Sequence, residues 1–165
     1  MTSFVLVGAA GAQSAGDDPI IGAWILNVER SVWTPGPRLP GFVISRRQYA
    51  NLEGGWMRFT TTSTNAAGNP TFQIGVFKLD GQRHPVHNII TLGSFMTTGQ
   101  ASNLTRSYRV IDARTTESTT YTDGVAGIPI VRAVSLDGSV FIERVNGTNA
   151  QGVAISNALV WERVP

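Results

Sequence analysis

Short runs in which apolar and polar residues alternate dominate this chain, and no long stretch keeps the 3.6-residue apolar period of an amphipathic helix. The runs are rich in Val, Ile, Thr, Phe and Tyr, which favour extended backbone. The pattern therefore predicts an all-β protein. The predicted strands span residues 20–28, 42–50, 56–64, 71–79, 85–91, 103–111, 115–122, 125–135, 139–147 and 153–163.

Turn-forming residues separate these strands. Asp80-Gly81, Asp123-Gly124 and Asp137-Gly138 are pairs that favour tight hairpin turns, because glycine tolerates a positive φ. Consecutive hairpins predict a single antiparallel up-and-down β-barrel of about 8–10 strands, since closure removes the two unpaired edges of an open sheet. The alternative at this strand spacing is a two-sheet β-sandwich.

Some predicted strands are apolar on both faces. Side chains alternate between faces along a strand, so Phe72, Ile74 and Val76 oppose Phe77 and Leu79. A lone barrel needs only one apolar face per strand. We therefore expect the N-terminal apolar run, or a second copy in a homo-oligomer, to cover part of the outer surface.

The chain begins with a short apolar run over residues 4–10, followed by the A-x-A motif Ala10-Gly11-Ala12. This order is typical of the later part of a secretory signal, although a basic region before the run is absent. The run is too short to span a bilayer as a helix, so no transmembrane segment is predicted. We interpret residues 1–16 as a signal-peptide-like segment or an N-terminal extension, and residues 17–165 as one barrel domain. A secreted or periplasmic protein is expected.

Composition narrows the classes of function. Charged residues make up only 15% of the chain, and the net charge is +2. The basic residues are scattered, with Arg46-Arg47 the only adjacent pair, so the stripe of a nucleic-acid-binding protein is missing. The chain contains no Cys, which excludes disulfides, thiolate catalysis and c-type haem attachment.

Motifs for catalysis are also scarce. The sequence contains no G-x-S-x-G, P-loop or G-x-G-x-x-G motif. His84 and His87 are three residues apart at a strand start, which places them on opposite faces, and no metal site or cofactor is predicted. His87 remains a candidate for a lone acid or base. Glu143 and Glu162 are interpreted as solvated outer positions, because ionised carboxylates are rarely buried unpaired.

Two neighbouring predicted strands carry a possible polar site. Arg106 and Tyr108 share a face of one strand, and Glu117 and Tyr121 share a face of the next. If both faces point inward, the four side chains form a polar cluster in an apolar barrel. Such a cluster could orient a carboxyl or hydroxyl group of a ligand, or carry out acid/base chemistry. The alternative is a structural ion pair or a network at the rim.

The start of the predicted domain resembles a known opening. The segment 18–27, Asp-Pro-Ile-Ile-Gly-Ala-Trp-Ile-Leu-Asn, then Ser31 and Pro35-Gly36-Pro37, is similar to the pattern D-P-x-x-G-x-W-x-L-N…S…P-G-P of small exported bacterial lipocalin-like proteins, mostly of unknown function. The resemblance implies an up-and-down barrel with Gly22 and Trp24 near its closed end. It implies no activity, and the Ser/Thr-rich segment 94–107 departs from the pattern.

Three functions are compatible with these observations. The first is a secreted, non-catalytic barrel that binds a small apolar or amphipathic ligand. The alternatives are a self-assembling extracellular structural protein that uses the N-terminal segment, and a barrel enzyme, such as a cyclase, isomerase or hydrolase. The candidate ligand-binding residues are Trp24, Trp56, Phe72, Arg106, Tyr108, Glu117 and Tyr121, and the catalytic candidates are Glu117, Tyr121 and His87.

Overall fold

The computed structural model describes residues 18–36, 44–64, 68, 70–92, 95–97, 103–149 and 151–165, with backbone alone for 88–92 and 95–97. The N-terminal segment 1–16 lies outside the described residues. The strands are β1 Gly22–Val32, β2 Ile44–Asn51, β3 Met57–Thr64, β4 Pro70–Phe77, β5 Arg83–Leu92, β6 Phe95–Thr97, β7 Leu104–Asp112, β8 Thr115–Thr122, β9 Val125–Ala126, β10 Ile130–Val134, β11 Val140–Thr148 and β12 Ala154–Arg163. A 3-10 turn spans Glu53–Gly55, and the described residues contain no α-helix.

Ten of the strands form a closed antiparallel ring in the order β1-β2-β3-β4-β5-β7-β8-β10-β11-β12. The ring closes because β1 pairs with both β2 and β12, and β8 pairs with β10. The short strands β6 and β9 add to the edges of β5 and β8. The predicted all-β antiparallel barrel is confirmed, and the sandwich alternative is excluded.

Turns between strands lie at the three predicted Asp-Gly pairs. Gly81, Gly124 and Gly138 have φ angles of 76°, 81° and 69°, which an L-residue rarely adopts. The prediction of one continuous strand over residues 125–135 is wrong, because this segment forms two strands, β9 and β10. The physical reason is Pro129, which has no N–H to donate to a ladder. Two residues earlier, the N–H of Gly127 donates to the oxygen of Thr120 at 2.8 Å.

The apolar core fills one end of the barrel, the end at which β1 begins. Trp24 meets the ring of Phe141 edge-on at 4.8 Å, and Phe141 stacks on Trp161 at 5.5 Å. Short turns join β2 to β3, β4 to β5, β7 to β8 and β10 to β11 at this end. We call it the closed end of the barrel.

Residues 18–21 seal the closed end. The indole N–H of Trp24 donates to the oxygen of Ile20 at 2.8 Å, and Ile20 is fully buried. Arg163 lies over the Trp24 ring at 4.2 Å and donates to the oxygens of Ile21 and Pro19 at 2.8 and 2.7 Å. Gly22, at a φ of 135°, leaves the space that this guanidinium occupies, because a Cβ there would overlap Arg163 Nη1.

Candidate ligand-binding site

A cavity of about 50 Å³ lies inside the barrel. Inward-facing side chains from β2, β7, β8, β10 and β11 surround it, and nearly all of them are polar. The lining residues are Arg47, Tyr49, Arg106, Tyr108, Thr116, Ser118, Ile130, Arg132 and Glu143.

Two Arg-x-Tyr pairs from distant parts of the ring face this cavity with matching contacts. In β2, Arg47 donates through Nη1 to the hydroxyl of Tyr49 at 3.4 Å and through Nε to Thr61 at 3.1 Å. In β7, Arg106 donates through Nη1 to the hydroxyl of Tyr108 at 3.4 Å and through Nε to Thr120 at 2.8 Å. A side chain two positions away and a threonine on the next strand thus orient each guanidinium.

Arg47 is neutralised inside the barrel. Its Nη1 forms an ion pair with Glu143 Oε1, and the guanidinium lies over the ring of Trp161 at 4.3 Å. Burial disfavours the charged form, but the charge of Glu143 and the contacts with Tyr49 outweigh it and raise the pKa of Arg47. The charge of Arg47 therefore persists at every physiological pH.

Arg132 is the second neutralised cation. It is 5% exposed, and its Nη2 lies 3.4 Å from Asp18 Oδ2. Its guanidinium also lies 4.9 Å from the ring centroid of Tyr49. Burial again opposes the charge, but Tyr49 and Asp18 outweigh it and raise the pKa of Arg132.

Arg106 differs from the other two cations. It is half-buried and forms no ion pair with any described residue; its contacts are Thr120, Tyr108 and the ring of Phe59 at 5.3 Å. Phe59 can lie close to the barrel wall because Gly75 is opposite it, where a Cβ would overlap the ring. Arg106 thus carries a positive charge that no described carboxylate balances.

Tyr108 supplies a protonated hydroxyl next to Arg106. The residue is 4% exposed, and its ring stacks on Phe77 at 3.9 Å. Burial raises the pKa of Tyr108 and outweighs the opposing effect of Arg106. Because its oxygen accepts from Arg106, its O–H remains a potential donor toward the cavity.

The predicted aromatic residues lie in three different places. Trp24 is buried in the core at the closed end. Trp56 follows the 3-10 turn before β3, where its ring is 5.2 Å from His84 and 4.9 Å from Lys78 Nζ. Phe72 is half-buried on the outer face of β4, because it alternates with the inward-facing Gly75 and Phe77. The structure places none of the three among the residues that line the polar cavity.

The prediction that residues of β7 and β8 form one polar cluster inside the barrel is wrong for the two residues of β8, as the pairing of the two strands shows. Arg106 is opposite Thr120 and Tyr108 is opposite Ser118, so the even-numbered residues of β8 face inward. Glu117 and Tyr121 consequently lie on the outer face. Glu117 accepts a hydrogen bond from Arg109 Nε at 2.7 Å, and Tyr121 lies beneath the guanidinium of Arg83 at 3.8 Å.

The two histidines lie on opposite faces of β5. His87 is exposed on the outer face, whereas His84 is buried and its Nε2 lies 3.1 Å from Asp80 Oδ1. Within the described residues, no three His, Asp or Glu side chains come close enough together to hold a metal ion.

Sequence reasoning missed most of the cavity. Arg47, Tyr49, Arg132 and Glu143 face inward, and the interpretation of Glu143 as a solvated residue is wrong because Arg47 and Trp161 both bind its carboxylate. One signal was available: Arg47-x-Tyr49 has the spacing of Arg106-x-Tyr108. A carboxylate partner for Arg47 could not be found this way, because Glu143 is distant in the sequence.

The fold and the cavity together define an antiparallel ten-strand barrel with an apolar core at its closed end and a polar cavity lined by three arginines and one glutamate. No protein-family model matches the chain, and no curated protein matches it significantly. The resemblance to exported lipocalin-like proteins therefore stays a prediction. No helix in the described part of the chain is long and apolar enough to cross a membrane.

Proposed function

We propose that this protein is a non-catalytic barrel that binds a small amphipathic ligand. The observation that carries the proposal is the cavity of about 50 Å³ enclosed by the barrel wall. Ligand sites in barrels are concave, with a few convergent polar groups that fix the ligand's orientation. The lining of this cavity supplies the polar groups of such a site: eight of its nine side chains are polar, and Ile130 is apolar.

The size of the cavity suits a polar head group. A water molecule needs roughly 10–15 Å³ of such space, so the cavity has room for about three to five waters or for a group of similar size. We therefore place the polar end of the ligand in the cavity.

Preorganisation supports binding at this place. The guanidiniums of Arg47 and Arg106 are each held by a tyrosine and a threonine on strands of the barrel. Side chains that are already ordered lose little conformational entropy when a ligand arrives, which favours affinity. The same rigidity favours selectivity for one head-group geometry.

The described interior supports binding over acid/base catalysis. Both oxygens of Glu143 are engaged, Oε1 by Arg47 and Oε2 by the indole N–H of Trp161 at 3.1 Å. Burial raises the pKa of Tyr108, so its hydroxyl keeps its proton. Neither group is suited to remove a proton from a substrate at neutral pH.

The proposed cellular location of the protein is inferred from the sequence and not from the cavity. We propose a secreted or periplasmic protein on the sequence of residues 1–16, which lie outside the described residues. The alternative of self-assembly depends on the same segment.

Native mass spectrometry of gently purified full-length protein tests the proposal, together with calorimetric titration of neutral, anionic and cationic octyl compounds. We expect a retained small molecule or saturable binding of at least one compound. Ser118→Leu fills the cavity, whereas Thr119→Leu changes the outer face of the same strand. We expect the first to weaken binding by about tenfold or more, equivalent to about 1.4 kcal/mol, and the second to leave it unchanged.

No retained molecule and no saturable binding of any compound would overturn the proposal. Equal affinities of the Ser118→Leu and Thr119→Leu variants would place any binding outside this cavity. The melting temperatures of both variants show whether the substitutions leave the barrel folded.

A further inference from the structure

We infer that the cavity binds the carboxylate group of a monovalent anionic ligand, with Arg106 as its ion-pair partner. This inference rests on the proposed binding function and names the chemical class of its ligand.

The first step is the balance of charge around the cavity. Arg47, Arg106 and Arg132 line it together with one carboxylate, that of Glu143. Glu143 pairs with Arg47, and Asp18 pairs with Arg132 from the sealed end of the barrel. Among the described residues, one positive charge is left over, at the half-buried Arg106. A partly buried cation gains from a charged partner, and a ligand with one negative charge supplies it.

The second step is the geometry of Arg106. Its Nε and Nη1 atoms donate to Thr120 and Tyr108, while Nη2 donates to no described residue. A guanidinium carries five N–H donors in a planar fork, so Arg106 keeps donors on both terminal nitrogens for a ligand. Carboxylates accept two parallel hydrogen bonds from such a fork.

Neutral donors next to Arg106 complete the site. Tyr108, Thr116 and Ser118, which carry hydroxyl groups, line the same cavity. The hydroxyl of Tyr108 accepts from Arg106, which leaves its proton for an acceptor in the cavity. A carboxylate is an acceptor only and has about four lone-pair sites, so it can accept hydrogen bonds from Arg106 and from neighbouring hydroxyl groups together.

The size and charge of the cavity favour a carboxylate over a phosphate. The volume of about 50 Å³ accommodates a planar group of three heavy atoms more readily than a tetrahedral group of five. A phosphate monoester carries up to two negative charges near neutral pH, whereas the cavity has one unbalanced cation. A ligand amine would be repelled by the same cation.

Calorimetric titration of the full-length protein with octanoate, 1-octanol and octyl phosphate tests the inference. These compounds share their tail and differ in the head group. We expect octanoate to bind at least about tenfold more tightly than 1-octanol, a difference of about 1.4 kcal/mol. Arg106→Gln removes the charge but keeps a polar side chain, and we expect it to abolish this preference.

Arg109→Gln is the matched control. Arg109 lies on the same strand as Arg106 but is exposed on the outer face, where it pairs with Glu117. We expect the Arg109→Gln variant to keep the full preference for octanoate. A loss of preference in both variants would mean that the net charge of the protein, and not the cavity, governs selectivity, and would overturn the inference.

The remaining outcomes separate the inference from the proposed function. Equal affinity for octanoate and 1-octanol would overturn the carboxylate inference and leave a binding barrel intact. Tighter binding of octyl phosphate than of octanoate would overturn the assigned chemical class. Binding of none of the three would overturn the inference, and the wider titration with native mass spectrometry would then decide the proposed function. The comparison of head groups in the unsubstituted protein decides the inference even if Arg106→Gln fails to fold.

Discussion

Arg47 and Glu143 form an ion pair across the barrel interior, although their strands, β2 and β11, are separated in the ring by β12 and β1. The indole of Trp161 links the two: its N–H donates to Glu143 at 3.1 Å, and its ring lies under Arg47 at 4.3 Å. Through Trp161, which stacks on Phe141, this ion pair connects one side of the cavity with the aromatic core. It also removes one of the three positive charges that face the cavity.

Glu143→Gln should destabilise the barrel, because it leaves Arg47 buried without its carboxylate. Breaking a buried pair by removing one partner costs about 3–5 kcal/mol. Urea denaturation measures the loss. Glu117→Gln is the control, since it breaks a pair on the outer face whose arginine is 62% exposed, and we expect a much smaller effect. Equal losses in the two variants would show that the interior pair has no special role.

The same Glu143→Gln substitution should tighten binding of octanoate while it lowers stability. It raises the positive charge around the cavity by one, and Coulomb attraction to an anion increases. Calorimetry compares octanoate and 1-octanol on the folded variant. If Glu143 had a purely structural role, its replacement would lower the affinities for both octanoate and 1-octanol. Weaker binding of octanoate would therefore contradict this prediction.

Gly75→Ala should destabilise the barrel wall next to Arg106. A Cβ at this position overlaps the ring of Phe59, which lies against Arg106. Overpacking of this kind costs about 1–3 kcal/mol and displaces the ring. Thermal unfolding measures the loss, with the neighbouring Val76→Ala, on the outer face of the same strand, as the control. A Gly75→Ala variant as stable as the unsubstituted protein would mean that Phe59 relocates freely.

Arg163→Lys should loosen residues 18–21 at the closed end. Arg163 donates to the oxygens of Pro19, Ile21 and Gly138 while it stacks on Trp24. An ammonium cannot reproduce this planar fork, and the loss of two hydrogen bonds costs about 2 kcal/mol. Amide hydrogen exchange at Ile20 and Ile21 should accelerate. Unchanged exchange there, with lower global stability, would contradict a role in sealing the barrel.

The ionised side chain of Asp137 should stabilise the folded protein at neutral pH, and this stabilisation should be lost in acid. Hydrogen bonds from Ser135 and Ser139 lower the pKa of Asp137 to about 2, below its usual value of 3.8. A depressed carboxyl pKa stabilises the folded state above the unfolded pKa, and this contribution is lost as the pH falls from about 4 toward 2. Denaturation at several pH values should therefore show a shallower decline for Asp137→Asn than for the unsubstituted protein. Parallel declines would contradict the assignment.

Much of the fold could be predicted from local patterns. Nine of the ten predicted strands correspond to single strands of the structure, and the tenth covers β9 and β10. Alternating side chains and Asp-Gly turns are properties of a few consecutive residues, so the sequence displays them directly. The short strand β6 was missed, because it has only three residues and lies in a Ser/Thr-rich stretch.

The candidate site was predicted only in part. Alternation correctly grouped Arg106 with Tyr108, and Glu117 with Tyr121, on shared faces. It could not say that the first pair faces the cavity while the second faces solvent, since a strand with polar residues on both faces has no preferred orientation. Glu143, the partner of Arg47, and the further cavity residue Arg132 come from strands later in the chain, and no local pattern places either of them at this cavity.

Antiparallel strands joined by tight turns can be predicted from the residue order of this protein, because those features depend on the spacing of neighbouring residues. The face of each strand that points inward, and the charges that meet inside the barrel, depend instead on how the strands pair. A shift of one residue in register exchanges the two faces of a strand, and pairing with both neighbours in a closed ring sets that register. That ring placed Arg106 inside the barrel and Glu117 outside it.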